Sequence, residues 1–194
     1  FNNKNFLEFN LIINQDFEID DLSEFSDKKI IKDLSKLENH NLFFLEKEEV
    51  LNVVNSHKII EKFYVFKNYP SNLKIKIEKA KLLAITKKNG LNFYIGSNGN
   101  LIQSDQISSL PFIFGDVDIK EFLKLKNVID NSSFNYDDIK NLYFFKSKRW
   151  DIETKDDIII KLPIDNLKTS FEKLIKIYKN KKFKDLKIID LRQD

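Results

Sequence analysis

The sequence predicts an α+β chain of two domains. A β-α-α-β-β unit comes first, and a mixed β-sheet domain with flanking helices follows. Three observations predict this. Short runs alternate apolar and polar residues and are bounded by Asn, Gly, Ser or Pro, which is strand and hairpin patterning. Between these runs lie apolar residues at helical spacing. The order of the two patterns also changes near Lys79 to Leu83: helices sit between strands before it, and a hairpin and a meander dominate after it.

Each element has a local reason. Residues 1–14 carry no cap or turn signal and read as a lead-in. In "FEIDDL", Phe17 and Ile19 alternate with Glu18 and Asp20, which suits a short strand. Ser26 is a candidate N-cap for a helix carrying Ile30, Ile31, Leu34 and Leu37, and "ENHN" (Glu38 to Asn41) ends it. A second helix is predicted over Lys47 to Asn55, with Val50, Leu51, Val53 and Val54 as its apolar stripe. Glu48 and Glu49 favour its first turn. Ile60 to Lys67 and Leu73 to Lys79 flank "NYPSN" as a hairpin, with Leu73, Ile75 and Ile77 on one face.

In the second half, "LLAITKK" and "LNFYIG" flank "NG", the strongest short hairpin signal, and "SNGN" marks another turn. "LPFIFG" is a short apolar segment closed by Gly115. Asp118 opens a helix with Ile119, Phe122, Leu123 and Leu125 facing inward. A meander follows: Leu142 to Ser147, Trp150 to Thr154, a turn at Lys155 to Asp157, then Ile158 to Leu162, stopped by Pro163. A helix near Asp165 to Lys179 places Leu167, Phe171, Leu174, Ile175 and Tyr178 on one face. The last element is a strand over Lys187 to Leu191, in "DLKIIDLRQD". Sequence alone leaves open whether that strand is internal or lies at a sheet edge.

Composition narrows the function classes. The chain has 194 residues, 18 Phe, no Cys and no Met. Without Met it contains no translation start, so it is expected to be a piece of a longer protein. Any membrane anchor is then expected upstream of Phe1, because no run reaches the roughly 18 apolar residues of a membrane span. Without Cys there is no disulfide and no thiol nucleophile. Net charge is +3, and it is uneven. Residues 1–80 hold 12 Lys/Arg against 14 Asp/Glu, and residues 81–194 hold 21 against 16. The lysines at 176, 179, 181, 182, 184 and 187 read as a solvated helix end, or else as a surface for an acidic partner or anionic lipid.

The catalytic inventory is thin. His40 and His57 stand in polar local settings and are expected at the surface; two such residues do not make a zinc site. "GSNGN" lacks the Lys and spacing of a phosphate loop and reads as a β-turn. The pairs Asp20–Asp21, Asp137–Asp138 and Asp156–Asp157 lie at turns or caps, where Asp bonds the backbone. "KFYVFKNY" and "YFFKSKRW" interleave aromatics with Lys, as single-strand nucleic-acid binders do. Alternation is expected to put the aromatics on one face and Lys on the other, which is a core strand with a charged surface. Trp150 is expected in the core. No catalytic residue, metal or cofactor is expected.

The order of elements resembles a known family. The first half is similar to a POTRA (polypeptide-transport-associated) domain. The two halves together resemble the extracytoplasmic part of the bacterial cell-division proteins FtsQ and DivIB. "IIEKFYVFKNYPSNLKIKIEKAKLLA" resembles the family hairpin through Val65, Lys67, Pro70, Leu73, Ile75, Ile77, Glu78 and Ala84. "NLFFLEKEEVLNVV", "FYIGSNGNLI", "LPFIFG", "KRWDIETKDDIIIKLP" and "IIDLRQD" resemble further segments in the same order. Two departures stand out: Leu82 or Leu83 replaces a usual Pro, and Asp157 replaces a usual Gly.

The resemblance implies a lead-in over 1–14, a POTRA domain over 15–80 and an FtsQ-type β domain over 81–194. It implies a non-enzymatic scaffold, anchored in the cytoplasmic membrane with this region in the periplasm, at the division septum. Its implied partners are FtsB and FtsL for the second domain and other divisome proteins for the POTRA domain, with no nucleic acid. FtsB is implied to add a strand at the C-terminal edge. The residues implied are Lys148, Arg149, Lys187, Ile189, Asp190, Arg192, Gln193 and Asp194. The alternative is a POTRA-bearing protein of outer-membrane transport or assembly.

Overall fold

The structure is a computed structural model that describes residues 14–19, 24–39, 42–69, 72–103, 109–179 and 186–192. Expectations for Asp20–Asp21, His40, Pro70, Gln193 and Asp194 lie outside these. The fold is mixed α+β, and the chain divides into two compact units, Phe1–Ala80 and Lys81–Asp194.

The first unit runs β1 (Asn14–Ile19), α1 (Glu24–Ser35), a 3₁₀ turn (Lys36–Asn39), α2 (Lys47–Asn55), β2 (Ile60–Asn68) and β3 (Asn72–Lys79). Its three-stranded sheet has the order β1-β3-β2. β1 runs parallel to β3, with Phe17 opposite Ile75, and β2 runs antiparallel to it. The alternation of β3 sets the core: Leu73, Ile75 and Ile77 are fully buried, against Ile30 and Leu34 of α1 and Val50 and Val54 of α2. Burying each such side chain contributes about 1.5–3 kcal/mol relative to leaving it exposed. Leu42 and Leu45, between the helices, join this core. Lys67 of β2 fastens that connection, donating Nζ–H to the Leu45 carbonyl at 2.7 Å and the Leu42 carbonyl at 3.3 Å.

Three expectations change here. α1 begins at Glu24, so Ser26 lies inside the helix and not at its N-cap; Ser is tolerated at either place, and its identity alone does not fix the boundary. His57 is not a surface residue. Its side chain is 8% exposed and its Nε2 lies 3.1 Å from Asp33 Oδ2. Burial pushes its pKa down, against the pull of Asp33. On β2 the aromatics do not share one face. Phe63 and Val65 pack on the core, while Tyr64 and Phe66 are about half exposed on the opposite face with Lys62.

The second unit begins with β4 (Leu82–Lys88) and β5 (Leu91–Gly96). Asn89 and Gly90 join them, both at positive φ (50° and 82°), which is the two-residue hairpin geometry that "NG" favours. β6 (Leu101–Ile102), β7 (Phe112–Phe114) and α3 (Ile119–Asp130) follow. Asp118 caps α3 by accepting the Lys120 N–H at 2.9 Å. Next are β8 (Ile139–Phe144), β9 (Trp150–Thr154), β10 (Ile159–Lys161), α4 (Leu167–Lys179) and β11 (Ile188–Asp190). The eight strands form one sheet, ordered β11-β10-β9-β8-β7-β4-β5-β6. The pairs β4–β7, β7–β8 and β10–β11 are parallel. Parallel neighbours need a crossover, which α3 supplies between β7 and β8 and α4 between β10 and β11. Phe122, Leu125, Ile129, Phe171 and Leu174 of those helices pack on Ile113, Leu142, Trp150, Ile152 and Ile160 of the sheet.

β8 is shifted from the expected Leu142 to Ser147. It starts at Ile139, behind a 3₁₀ turn capped by Asn135, and stops at Phe144. The chain then reverses through 145–149, with the Lys148 N–H on the Phe145 carbonyl (2.8 Å) and Lys148 at φ 63°. Lys148 occupies a position where Gly or Asn is ordinary, so sequence gave no turn signal. Asp157 likewise takes φ 58° at the place where the family pattern carries Gly. α4 starts at Leu167 and not at Asp165, because Asn166 sits at φ 59°, outside helical geometry.

Candidate partner-binding edge

Among the described residues β11 is a terminal strand of the sheet and not an internal one. Its one pairing is parallel to β10, with Ile189 opposite Ile160. The Ile159 N–H donates to the Lys187 carbonyl and the Leu191 N–H to the Lys161 carbonyl, each at 2.9 Å. Bonding alternates along a parallel strand, so Ile188 and Asp190 turn their N–H and C=O groups away from β10. An edge of this kind is a template for another strand.

Side chains follow the same alternation. Ile189 points into the core and is 5% exposed, so it anchors the strand and offers no side chain to a partner. Ile188 on the other face is half exposed. Asp190 and Arg192 share that outer face and form an ion pair. Asp190 Oδ1 accepts from Arg192 N (3.1 Å) and Nε (2.7 Å), and Oδ2 accepts from Nη2. Arg192 is the main reason the Asp190 carboxyl is lowered to about 2.

A second arginine approaches from the β8–β9 turn. Arg149 lies with its guanidinium 4.2 Å over the Phe145 ring and its Nε 3.3 Å from Asp151 Oδ1. Asp151 is buried, which raises its pKa; Arg149 opposes the shift, with smaller help from Arg192 and Lys161. Arg149 and Arg192 both line a cavity of about 500 Å³ between α4 and the end of β11, with Ile164, Asp165, Lys173 and Leu191. Lys148 and Lys187 are exposed near this region of the fold, on the turn and at the start of β11 respectively.

Sequence reasoning had singled out Arg149, Asp190 and Arg192 but missed Asp151, Asp165 and Lys173. One signal was available. Arg149 and Asp151, and Asp190 and Arg192, are two residues apart, and that spacing puts both members of each pair on one face of a strand. Elsewhere on the same sheet, Glu153 accepts from Tyr143 (2.5 Å) and Asn141 (2.9 Å) and pairs with Lys140 (3.0 Å). These contacts, Tyr143 foremost, lower its carboxyl to about 2. Among the described residues no group of three or more His, Asp or Glu is placed to hold a metal ion, and no helix is long and apolar enough to cross a membrane.

A mixed sheet whose terminal strand, among the described residues, turns main-chain groups outward belongs to the class of α+β domains in which pairing with another chain is geometrically open. Comparison with known proteins specifies the class. Residues 84–192 match the family model of the C-terminal domain of cell division protein FtsQ/DivIB. The chain belongs to the FtsQ/DivIB family of cell-division proteins. It is 25% identical over 199 residues to the cell division protein FtsQ of Rickettsia typhi, covering 94% of this chain and 68% of that protein. It is 24% identical over 164 residues to the FtsQ of Bradyrhizobium diazoefficiens, covering 78% of this chain and 46% of the relative. The extracytoplasmic domain of DivIB from Geobacillus stearothermophilus aligns with a TM-score of 0.37 at 12% identity, over 48% of this chain and 87% of that one. Membership ties the chain to cell division and the divisome. The family is of cell-division scaffold type and is not a known enzyme family.

Proposed function

We propose that this chain is the periplasmic part of a non-enzymatic divisome scaffold, held in the cytoplasmic membrane by a span upstream of Phe1 and acting at the division septum. Residues 15–80 form a POTRA domain that engages other divisome proteins, and residues 81–194 form the FtsQ-type β domain. The second domain recruits FtsB, and FtsL with it, when an extended segment of FtsB adds to β11. The observation that carries this reading is the open edge of β11, paired only with β10 among the described residues. Main-chain bonds at Ile188 and Asp190 supply affinity, and charges beside the edge supply register and specificity. Lys148, Arg149, Lys187, Arg192, Gln193 and Asp194 belong to this surface, with Arg192 and Arg149 facing acidic residues of FtsB.

The test is a calorimetric titration of the chain with the extracytoplasmic segments of FtsB and FtsL from the same organism. Arg192→Glu is expected to weaken binding by about tenfold or more, as replacing an interfacial charge with its opposite does. Unchanged affinity would remove Arg192 from the interface. Trp150 fluorescence reports that the domain stays folded, because this sole Trp is buried in its core.

A further inference from the structure

Arg192 is already committed to an acid of its own strand. Asp190 engages the backbone N–H, Nε and Nη2, so it takes the side of the guanidinium that carries Nε. A guanidinium is a planar fork of five N–H donors, and a carboxylate on one edge leaves the other edge open to a second carboxylate in the same plane. Among the described residues Asp190 is the one acid within ion-pair distance of Arg192. The opposite edge, formed by the two Nη atoms, carries no such partner among the described residues.

From this geometry we infer that Asp190 is a positioning residue. It holds the Arg192 guanidinium so that the outer Nη edge receives the carboxylate of an Asp or Glu in the strand that adds to β11. The inference rests on the proposed strand addition at that edge. Two opposing effects decide its sign. An unrestrained Arg loses rotamer freedom when it binds, and Asp190 removes much of that freedom beforehand. Asp190 also repels an incoming carboxylate. That repulsion is weak, because the Asp190 side chain is 35% exposed and the guanidinium lies between the two acids. The surroundings favour an incoming acid, because among the described residues Lys161 acts on Asp190 alongside Arg192, and Arg149, Arg192 and Lys161 all act on Asp151. Positioning therefore outweighs repulsion.

Four versions of the full 194-residue chain test this: unmodified, Asp190→Asn, Arg192→Gln and the double variant. Two readouts are taken. Without partner, NMR of the arginine Nε–H groups measures how ordered Arg192 is. The expected result is an ordered Arg192 signal in the unmodified chain that becomes mobile in Asp190→Asn. With the extracytoplasmic segment of FtsB, Asp190→Asn is expected to bind about three- to tenfold more weakly, the cost of ordering one long side chain. The same change in the Arg192→Gln background is expected to have no further effect. Equal or tighter binding by Asp190→Asn overturns the inference, and so does an equal loss in the Arg192→Gln background, which would mark a merely structural role. If the segment binds but Arg192 is equally mobile with and without Asp190, positioning fails while strand addition stands. If Arg192 behaves as expected but no version binds the segment, strand addition fails and the inference falls with it.

Discussion

Gly115 closes β7 and holds the sheet where it turns toward α3. Its φ is 103°, and a Cβ built there would lie 2.2 Å from the Phe144 carbonyl oxygen and 3.2 Å from the carbonyl carbon. Phe144 ends β8, the parallel neighbour of β7. The obstacle is therefore backbone in a sheet, which cannot rotate away as a side-chain tip could. Gly115→Ala combines two costs. Holding a residue with a Cβ at left-handed φ costs about 1–2 kcal/mol. Forcing a packed neighbour to move adds about 1–3 kcal/mol. Gly90→Ala is the matched control, because Gly90 has φ 82° but no atom within 4 Å of the added Cβ. The expected loss of unfolding free energy is about 2–5 kcal/mol for Gly115→Ala and about 1–2 kcal/mol for Gly90→Ala. Urea unfolding followed by Trp150 fluorescence measures both, since Trp150 packs 4.6 Å from Phe144, ring centre to ring centre. Equal losses in the two variants would refute the packing argument and leave only the backbone term.

Two further predictions address other parts of the chain. The Glu153 carboxyl is lowered from 4.5 to about 2, so its stabilising contribution is present above about pH 4.5 and is lost as pH falls toward 2. Glu153→Gln should flatten the fall in urea midpoint between pH 5 and pH 2, and parallel profiles for the two proteins would contradict this. In the first unit, Lys67→Met keeps the aliphatic stem but removes both hydrogen bonds to the connection between α1 and α2. It should cost about 1 kcal/mol in thermal unfolding followed by circular dichroism, and an unchanged midpoint would show that the two bonds contribute nothing net.

Much of the fold was legible because local chemistry and tertiary structure agree. "NG" at 89–90, the Asp118 cap and the strict alternation of β3 each specify one geometry, and the structure adopts it. The misses fall where local rules are silent. Lys148 turns the chain at a positive φ without any Gly to announce it, so the end of β8 was misplaced. His57 follows Ser56 in a polar stretch, but the fold buries its side chain beside Asp33 of α1, a neighbour 24 positions earlier that no local signal announces. In "KFYVFKNY" the aromatics at 63, 64 and 66 do not all share one parity, so the period of two places Tyr64 and Phe66 opposite Phe63 and Val65 and not with them in the core. At the candidate edge the individual charges are visible in the sequence. Their proximity is not, because sequence does not say that Arg149, Leu191 and Arg192 line one cavity.

The central claim is that β11 is completed by a strand from a partner. Amide hydrogen exchange at Ile188 and Asp190 tests it most directly, because those N–H groups face away from β10 while Leu191 bonds to it. In the chain alone the two edge amides should exchange fast. On adding the extracytoplasmic segment of FtsB at saturating concentration, both should slow by at least about tenfold, as amides entering a β ladder do. Bound FtsB with unchanged exchange at Ile188 and Asp190 would contradict the account and place the contact elsewhere on the domain.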